Sequence, residues 1–257
     1  MCESTIGKQD GREGPDMLFR EEDEDLEILP FADRAEAGLI LAGRLAAYSS
    51  RHDVIVLGLP RGGVPVATAV ASALKLALDV FVVTKIGTPW EQELAMGAVA
   101  EGGVRVLDLS LMKLLGISEQ EMQEVVVVAQ KELESHISAY RGGRPPLELN
   151  GKTAIVVDDG IATGCSVLAA IAATRRERAA RVVVAVPVAP AAGCSAIRME
   201  ADEFVSVAEP EMFVAVSQWY RDFAQVSDEE VQRLLQKAEH SRRVPLKHIE
   251  ILYSRGG

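Results

Sequence analysis

The strongest signal in the sequence is the stretch Ala154-Ile155-Val156-Val157-Asp158-Asp159-Gly160-Ile161-Ala162-Thr163-Gly164-Cys165-Ser166. A short apolar run leads directly into two carboxylates, and a turn with two glycines and two hydroxyl side chains follows. Residues 166–176 then have the pattern of a helix. Short continuous apolar runs are typical of strands that are buried on both faces of a parallel sheet. The stretch therefore predicts a strand, a tight loop and a helix, in that order.

The same pattern recurs on both sides of this stretch. Apolar runs alternate with helical patterns: the runs cover 54–57, 80–83, 182–186 and 204–207, with a weaker one at 104–107, and the helices cover 64–76, 118–140, 191–200 and 227–239. This alternation predicts an α/β fold, a three-layer sandwich with a mostly parallel twisted sheet. We also expect a small hood, built from an N-terminal helix that Asp33 caps and from the C-terminal segment. Ligands of such sheets bind beyond the carboxyl ends of the strands.

Charge is concentrated at the N-terminus. The net charge is −11, and residues 1–27 contain ten acidic and three basic side chains. Such a segment cannot bury enough apolar surface to order itself, so we expect an acidic mobile tail there. The predicted domain covers 28–240, and a C-terminal tail covers 241–257. The acidic balance argues against nucleic acid as a partner.

The cysteines and the hydropathy indicate the compartment. Cys2, Cys165 and Cys194 form no Cys-x-x-Cys pair, which is typical of a reducing environment without a disulfide framework or a zinc site. The longest apolar region is interrupted by Lys75 and Asp79, so we expect no membrane span. A cytoplasmic location is the resulting prediction.

The loop after Val157 has the chemistry of a sugar-phosphate site. Glycine and alanine let the backbone approach a ligand closely. Free N–H groups at the start of the following helix, together with the hydroxyls of Thr163 and Ser166, form an anion cradle. The carboxylates of Asp158 and Asp159 would repel a phosphate, but they can accept hydrogen bonds from sugar hydroxyls or orient a cation. The alternative is that the two aspartates only end the strand and cap the helix.

A second candidate anion site follows the first strand. Pro60-Arg61-Gly62-Gly63 combines two glycines with an arginine ahead of a helix. Two anion sites at neighbouring strand ends suit a ribose that is phosphorylated at both ends. The alternative is a tight turn with an exposed arginine. Lys85, after the next apolar run, either neutralises the charge of a bound anion or is a surface lysine.

The stretch 154–166 resembles the phosphoribosyl-pyrophosphate signature of the type I phosphoribosyltransferases. The resemblance implies catalytic roles for Asp158, Asp159 and Lys85, with the two aspartates on the ribose hydroxyls and contacting Mg²⁺ indirectly, through those hydroxyls or water. It implies that the 5′-phosphate is bound by Gly160, Ile161, Ala162, Thr163, Gly164, Cys165 and Ser166. It also implies that the pyrophosphate is bound by Arg61, Gly62 and Gly63, with a non-proline cis peptide at Pro60–Arg61 or beside it.

A group of predicted phosphoribosyltransferases is similar over most of residues 31–235. The shared motifs are Phe31-Ala32-Asp33-Arg34, Leu59-Pro60-Arg61-Gly62-Gly63-Val64-Pro65, Glu93-Leu94-Ala95-Met96-Gly97-Ala98, the phosphoribosyl loop, and Trp219-Tyr220-Arg221-Asp222-Phe223. Thr84 departs from the arginine that commonly precedes the lysine in this group. Residues 87–103 occupy the place of the family's flexible catalytic loop, where flanking glycines suit a lid.

The acceptor site is less defined. The segment 204–214 resembles the base-binding segment of hypoxanthine-guanine phosphoribosyltransferases, with Phe213 in the stacking position; the alternative is that Phe213 is a core residue. Ala162 stands where those enzymes have a further aspartate, and Val188-Ala189-Pro190 lacks their lysine. We therefore do not expect a 6-oxopurine acceptor.

The resemblance implies an enzyme, a pentosyltransferase of the glycosyltransferase class. It would transfer 5-phosphoribosyl from phosphoribosyl pyrophosphate to a nitrogenous acceptor, with Mg²⁺ as cofactor and release of pyrophosphate. The alternatives are a non-catalytic sensor of a phosphoribosyl ligand that regulates a partner, and a hydrolase or phosphorylase of phosphorylated ribose compounds. The sequence leaves open the acceptor, a homodimer and the role of the acidic tail.

Overall fold

The computed structural model describes residues 30–92, 94–142 and 147–243. Its strands are β1 (Val54–Gly58), β2 (Ala77–Val80), β3 (Val83–Gly87), β4 (Ala95–Ala100), β5 (Val104–Leu107), β6 (Thr153–Val157), β7 (Arg181–Val188) and β8 (Glu203–Ala208). Its α-helices are α1 (Arg34–Arg44), α2 (Gly63–Leu74), α3 (Leu109–Leu115), α4 (Glu119–Arg141), α5 (Cys165–Arg176), α6 (Ser195–Glu200) and α7 (Asp228–Arg243). Strands and helices alternate along the chain as the sequence predicts, except that β2 to β5 follow one another without an α-helix and α3 is followed directly by α4.

Five strands form a parallel sheet in the order β2-β1-β6-β7-β8. Successive residues of the buried strands point to opposite faces. Val56 and Ile155 join a core with α1, α2, α4 and α7, whereas Leu57 and Val156 join a second core with α5 and α6. Helices thus cover both faces, which is the physical reason that these strands are continuously apolar. The predicted three-layer α/β sandwich is confirmed.

A second sheet is antiparallel and has the order β3-β4-β5. Its Val99 packs into the core shared with α4, and its Ala98 and Ala100 pack into the core shared with α5. Two predictions differ from this arrangement. The single strand expected at 80–83 is the point where the chain leaves β2 and enters β3. The segment 87–103, expected as a lid, contains the buried strand β4, so only its first part is a loop.

Helix α1 lies tightly against α2. A side chain at Gly38 would come within 2.6 Å of the carbonyl oxygen of Val66, so the two helices approach closely there. Asp33 caps α1 as predicted, since its carboxylate accepts a hydrogen bond from the N–H of Glu36 at 2.8 Å. Just before the helix, Phe31 forms an isolated parallel bridge with Tyr220. This bridge joins the chain ahead of α1 to the segment that follows β8.

Other predicted boundaries can be compared with the helices. Ser118 and Glu121 form a capping box at the start of α4, and the hydroxyl of Ser227 accepts from the N–H of Glu230 at the start of α7. Helix α7 continues to Arg243, past the predicted boundary at 240. The acidic tail and residues 244–257 lie outside the described residues. Among the helices of the described ranges, none has the length and apolarity to span a bilayer.

Candidate functional site

The pairing of β1 with β6 brings the two predicted loops together. Gly58 is the partner of Val157, so both strands end at the same level. The N–H of Leu59 then donates to the carbonyl oxygen of Val157 at 2.9 Å. Residues 59–63 and 158–166 therefore leave the sheet side by side, at the carboxyl edge where α/β sheets bind ligands.

The glycines of the first loop lie directly against the aspartates of the second. A Cβ atom at Gly62 would stand 2.0 Å from Oδ2 of Asp159. A Cβ atom at Gly63 would stand 2.6 Å from the carbonyl oxygen of Val157 and 3.0 Å from Oδ1 of Asp158. A side chain at Gly62 would require movement of the Asp159 carboxylate, and one at Gly63 would require movement of the backbone at Val157 and Asp158. The sequence Gly-Gly is thus required by contact with the aspartates.

The peptide between Pro60 and Arg61 is cis, which confirms that prediction. The Arg61 side chain is half exposed, and its Nη1 lies 3.9 Å from Oδ1 of Asp228 at the start of α7. The hydroxyl of Tyr140 donates to the same Oδ1 at 2.6 Å. The exposed guanidinium at the mouth of the first loop is available to an anion.

The second loop is packed against neighbouring residues at its start and exposed to solvent further along. A Cβ atom at Gly160 would stand 2.6 Å from a methyl group of Val216, and the N–H of Ile161 donates to the carbonyl oxygen of Val188 at 3.0 Å. Ala162 and Thr163 are exposed. Gly164 has a φ of 79° and Cys165 begins α5. Because the first N–H groups of a helix have no acceptor within it, this loop and helix start can hold an anion.

The two aspartates have different environments. The carboxylate of Asp159 accepts from Nε of Arg34 at 2.8 Å, and both side chains are largely buried. The carboxylate of Asp158 accepts from the N–H of Asp159 at 2.9 Å. Burial raises the pKa of Asp158 well above its usual range, and the adjacent charge of Asp159 raises that pKa further. Burial also raises the pKa of Asp159, but there the charge and hydrogen bond of Arg34 oppose the effect.

Lys85 and Phe213 lie at the margin of this site. Lys85 is the exposed residue of β3, and its charge lowers the pKa of Asp158 and of Asp159 against the larger effect of burial. Phe213 is half-buried and precedes the short helical turn Val216–Trp219, whose first residue packs on Gly160. The structure therefore places Lys85 within electrostatic reach of the aspartates, and Phe213 three residues from a contact with the second loop.

Two residues of the site were not predicted. Arg34 binds Asp159, and the hydroxyl of Tyr220 donates to the backbone carbonyl of Asp159 at 2.5 Å. Arg34 belongs to the motif 31–34 and Tyr220 to the motif 219–223. Both motifs are shared with similar sequences, but neither indicates by itself a role in binding or catalysis. Burial raises the pKa of Tyr220, so its hydroxyl remains protonated and can donate.

The aspartate pair fits a magnesium ion only in part. Within residues 30–92, 94–142 and 147–243, no cluster of three or more His, Cys, Asp or Glu side chains could hold a metal. Mg²⁺ usually keeps several waters and is held by one or two carboxylates together with phosphates of the substrate. Asp158 and Asp159 alone are too few ligands, so a magnesium ion here would need oxygens from a bound ligand or from water.

Comparisons with known proteins show which chains this protein resembles. A protein of Mycobacterium tuberculosis strain H37Rv, named "Putative phosphoribosyl transferase", is 45% identical over 208 residues, and the same holds for its counterpart in strain CDC 1551. The matched region is 81% of this chain and 47% of those relatives, so the chain spans less than half of their length. The crystal structure of TT1426 from Thermus thermophilus is 39% identical, with a TM-score of 0.68 over 81% of this chain and 99% of that one.

A family model also matches the part of the chain that contains the site. The model of the phosphoribosyl transferase domain matches residues 33–224, which is most of the chain. The matched range includes Arg34, both loops and Tyr220. The chain therefore belongs to the phosphoribosyl transferase domain family.

Proposed function

We propose that this protein transfers a 5-phosphoribosyl group from phosphoribosyl pyrophosphate to a nitrogenous acceptor and releases pyrophosphate. The observation that carries the proposal is the contact of Gly62 and Gly63 with Asp159 and Asp158. That contact puts a carboxylate pair between two candidate anion sites. Phosphoribosyl pyrophosphate has the same order of groups: a phosphate, a ring with two hydroxyls, and a pyrophosphate.

The residues divide by the part of the substrate that each would bind. The 5′-phosphate would lie on the loop 160–166 and the start of α5, where N–H groups favour an anion. The ribose hydroxyls would donate to Asp158 and Asp159. The pyrophosphate would lie against Arg61 and the adjacent N–H groups, and Lys85 would add positive charge. Mg²⁺ bound with the substrate would neutralise further negative charge on the leaving pyrophosphate.

The proposed reaction needs positioning more than proton transfer. The bond between C1 of the ribose and the pyrophosphate oxygen breaks, and the oxygen keeps the electron pair. The acceptor nitrogen forms the new bond to C1 with its lone pair and loses its proton to solvent or to the released pyrophosphate. Because the ring carries positive charge in between, holding the acceptor close and neutralising the leaving group lower the barrier most. The charges of Arg61 and Lys85 act on the leaving group, and the aspartates fix the ring.

The proposal also covers the residues that would bind the acceptor base. Phe213 is half-buried, so one part of its ring is available for stacking on a planar base. Ala162 is exposed at the point where a further carboxylate would recognise a purine, and Val188 and Ala189 are buried, with no donor for a base oxygen. These features support a planar nitrogenous base other than a 6-oxopurine.

A turnover assay tests the proposal. The purified chain is incubated with phosphoribosyl pyrophosphate, Mg²⁺ and a set of nitrogenous bases, while released pyrophosphate is measured and products are analysed by mass spectrometry. We expect pyrophosphate and a phosphoribosylated base in equal amounts. Ribose 5-phosphate in place of a conjugate would indicate a hydrolase, and tight binding of phosphoribosyl pyrophosphate without any product would indicate a sensor.

A further inference from the structure

Asp159 is held at two points by segments that are remote in the sequence. Its carboxylate is bound by Arg34 in α1, and its backbone carbonyl by the hydroxyl of Tyr220. The two segments are also bound to each other, because the N–H of Phe31 donates to Trp219 at 2.9 Å and the N–H of Arg221 donates to Phe31 at 2.8 Å. We call residues 31–34 with 219–224 the clamp. Asp159 is thus contacted by residues near both ends of the range 33–224 that the family model matches.

Arg34 itself is fixed on three sides. Its Nε binds Asp159, its Nη1 donates to the carbonyl oxygen of Ala224 at 2.8 Å, and its guanidinium lies 3.9 Å from the centre of the Phe223 ring. The side chain is only 11% exposed. A guanidinium at that burial costs desolvation energy, which ion pairing and the aromatic face offset. An exposed ion pair, by contrast, has little defined geometry.

This arrangement fixes which oxygen of Asp159 faces a ligand. Oδ2 accepts from Arg34 and lies against Gly62. Oδ1 is therefore the oxygen left for a hydroxyl of the sugar. The positive charge of Arg34 also opposes the rise that burial causes in the pKa of Asp159, which favours the charged form of this carboxylate.

We propose that Arg34 is a positioning residue of the ribose site, which orients the carboxylate of Asp159 through the clamp without touching the substrate. The proposal rests on the proposed function, since it assigns Asp159 to a ribose hydroxyl. It adds that recognition of the sugar depends on contacts between α1 and residues 219–224. Recognition of the 5′-phosphate depends on the loop 160–166 and not on those contacts.

Two substitutions at Arg34 and one elsewhere test this division. Arg34→Gln removes the charge, and Arg34→Lys keeps the charge but cannot bind Asp159 and Ala224 at once, because an ammonium lacks the planar fork. The matched control is Arg51→Gln. Arg51 also binds an aspartate, Asp53 at 2.6 Å, and also lies beside an aromatic ring, Tyr48, but it is exposed and away from the site.

The probes are inorganic phosphate, which needs only the anion cradle, and ribose 5-phosphate, which adds the hydroxyls. Calorimetric titration gives both dissociation constants for each protein. For Arg34→Gln we expect the constant of ribose 5-phosphate to rise by about tenfold or more, which is the scale of a charged hydrogen bond, and that of phosphate to change by less than about twofold. Arg34→Lys should lie between this variant and the parent, and Arg51→Gln should equal the parent.

The outcomes separate the two proposals. If the parent binds ribose 5-phosphate but Arg34→Gln binds it equally well, the positioning role is wrong and the proposed function stands. Equal loss of phosphate and ribose 5-phosphate binding in both Arg34 variants would show a structural role and would also overturn the inference. If the parent binds ribose 5-phosphate no better than phosphate, the ribose site fails, and the proposed function fails with it. Should Arg34→Gln not fold, Arg34→Lys alone must show the selective loss.

Discussion

Replacing both Asp158 and Asp159 with asparagine is the most direct test of the ribose site. Asparagine keeps the shape and one acceptor oxygen but removes two negative charges. In the structure, one oxygen of Asp158 accepts from the N–H of Asp159, and one oxygen of Asp159 accepts from Arg34. Each carboxylate therefore has one oxygen left, and we count one hydrogen bond to the ribose from each.

The expected loss of affinity follows from that count. A hydrogen bond to a charged group contributes about 1.5–3 kcal/mol and a neutral one about 0.5–1.5 kcal/mol, so each change loses about 1–2 kcal/mol. Both changes together lose about 2–4 kcal/mol. The dissociation constant of Mg²⁺-phosphoribosyl pyrophosphate should then rise by about 30- to 1,000-fold. Binding of inorganic phosphate should change much less, because the loop 160–166 is untouched.

The effect on folding should be small because two contributions oppose each other. Loss of the Asp158 charge relieves burial and repulsion, whereas loss of the Asp159 charge leaves Arg34 without its ion pair. Isothermal titration calorimetry with both ligands measures the affinities, and Asp53→Asn serves as the control on an exposed pair. If the double variant binds phosphoribosyl pyrophosphate as tightly as the parent, the ribose assignment is refuted.

Three single substitutions test other parts of the structure. Asp158→Asn should raise the melting temperature at pH 7.5, and this gain should vanish near pH 4. The pKa of Asp158 is higher in the folded protein than in the unfolded chain, where it is about 3.9. The parent therefore loses stability as the pH rises above that value, and the asparagine variant does not. Gly62→Ala should lower kcat/KM by about 100-fold in a pyrophosphate-release assay, because the new methyl group must displace Asp159. Arg141→Met should lower the free energy of unfolding in urea by about 3–5 kcal/mol, because it leaves Glu101 buried without its partner at 2.9 Å.

The glycine and arginine substitutions each have a matched control. Gly43→Ala introduces a methyl group into α1 with no atom within 4 Å, so activity should be retained and stability should rise by about 0.5–1 kcal/mol. Arg233→Met breaks an exposed pair with Glu230 and should cost less than about 1 kcal/mol. The first prediction is contradicted if the gain in melting temperature of Asp158→Asn persists at pH 4. The second is contradicted if Gly62→Ala is fully active. The third is contradicted if Arg141→Met and Arg233→Met lower the free energy of unfolding equally.

Local patterns were sufficient for the loops but not for the clamp. The loops after Val157 and Gly58 could be predicted because strand, loop and helix follow one another in the chain, and the chemistry is local to the loop. The bond between Arg34 and Asp159 joins residues 125 positions apart, so no local pattern contains it. The resemblance marked the motif of Arg34 without giving its partner. A single sequence contains the residues of a motif, but it does not show which residues elsewhere in the fold they contact.

The second sheet shows another limit of local patterns. The apolar run at 80–83 predicts a single strand because any buried segment is apolar. Burial does not show where the chain passes from one sheet to another. Strand β4 was missed because Ala95–Ala100 is rich in alanine and glycine, which are weak strand formers. Its pairing with β3 and β5, and its burial between α4 and α5, outweigh that weak propensity.

The register between β1 and β6 sets the distance between the two loops of the site. A strand advances about 3.3 Å per residue, so a shift of one position would carry the anion loop that far along the carboxylates. Gly62 and Asp159 could not then remain in contact. The spacing between the two candidate anion loops is therefore set by the register of β1 and β6 in the interior. Val56 and Ile155, which are register partners in the core and lie away from both loops, help to hold that spacing.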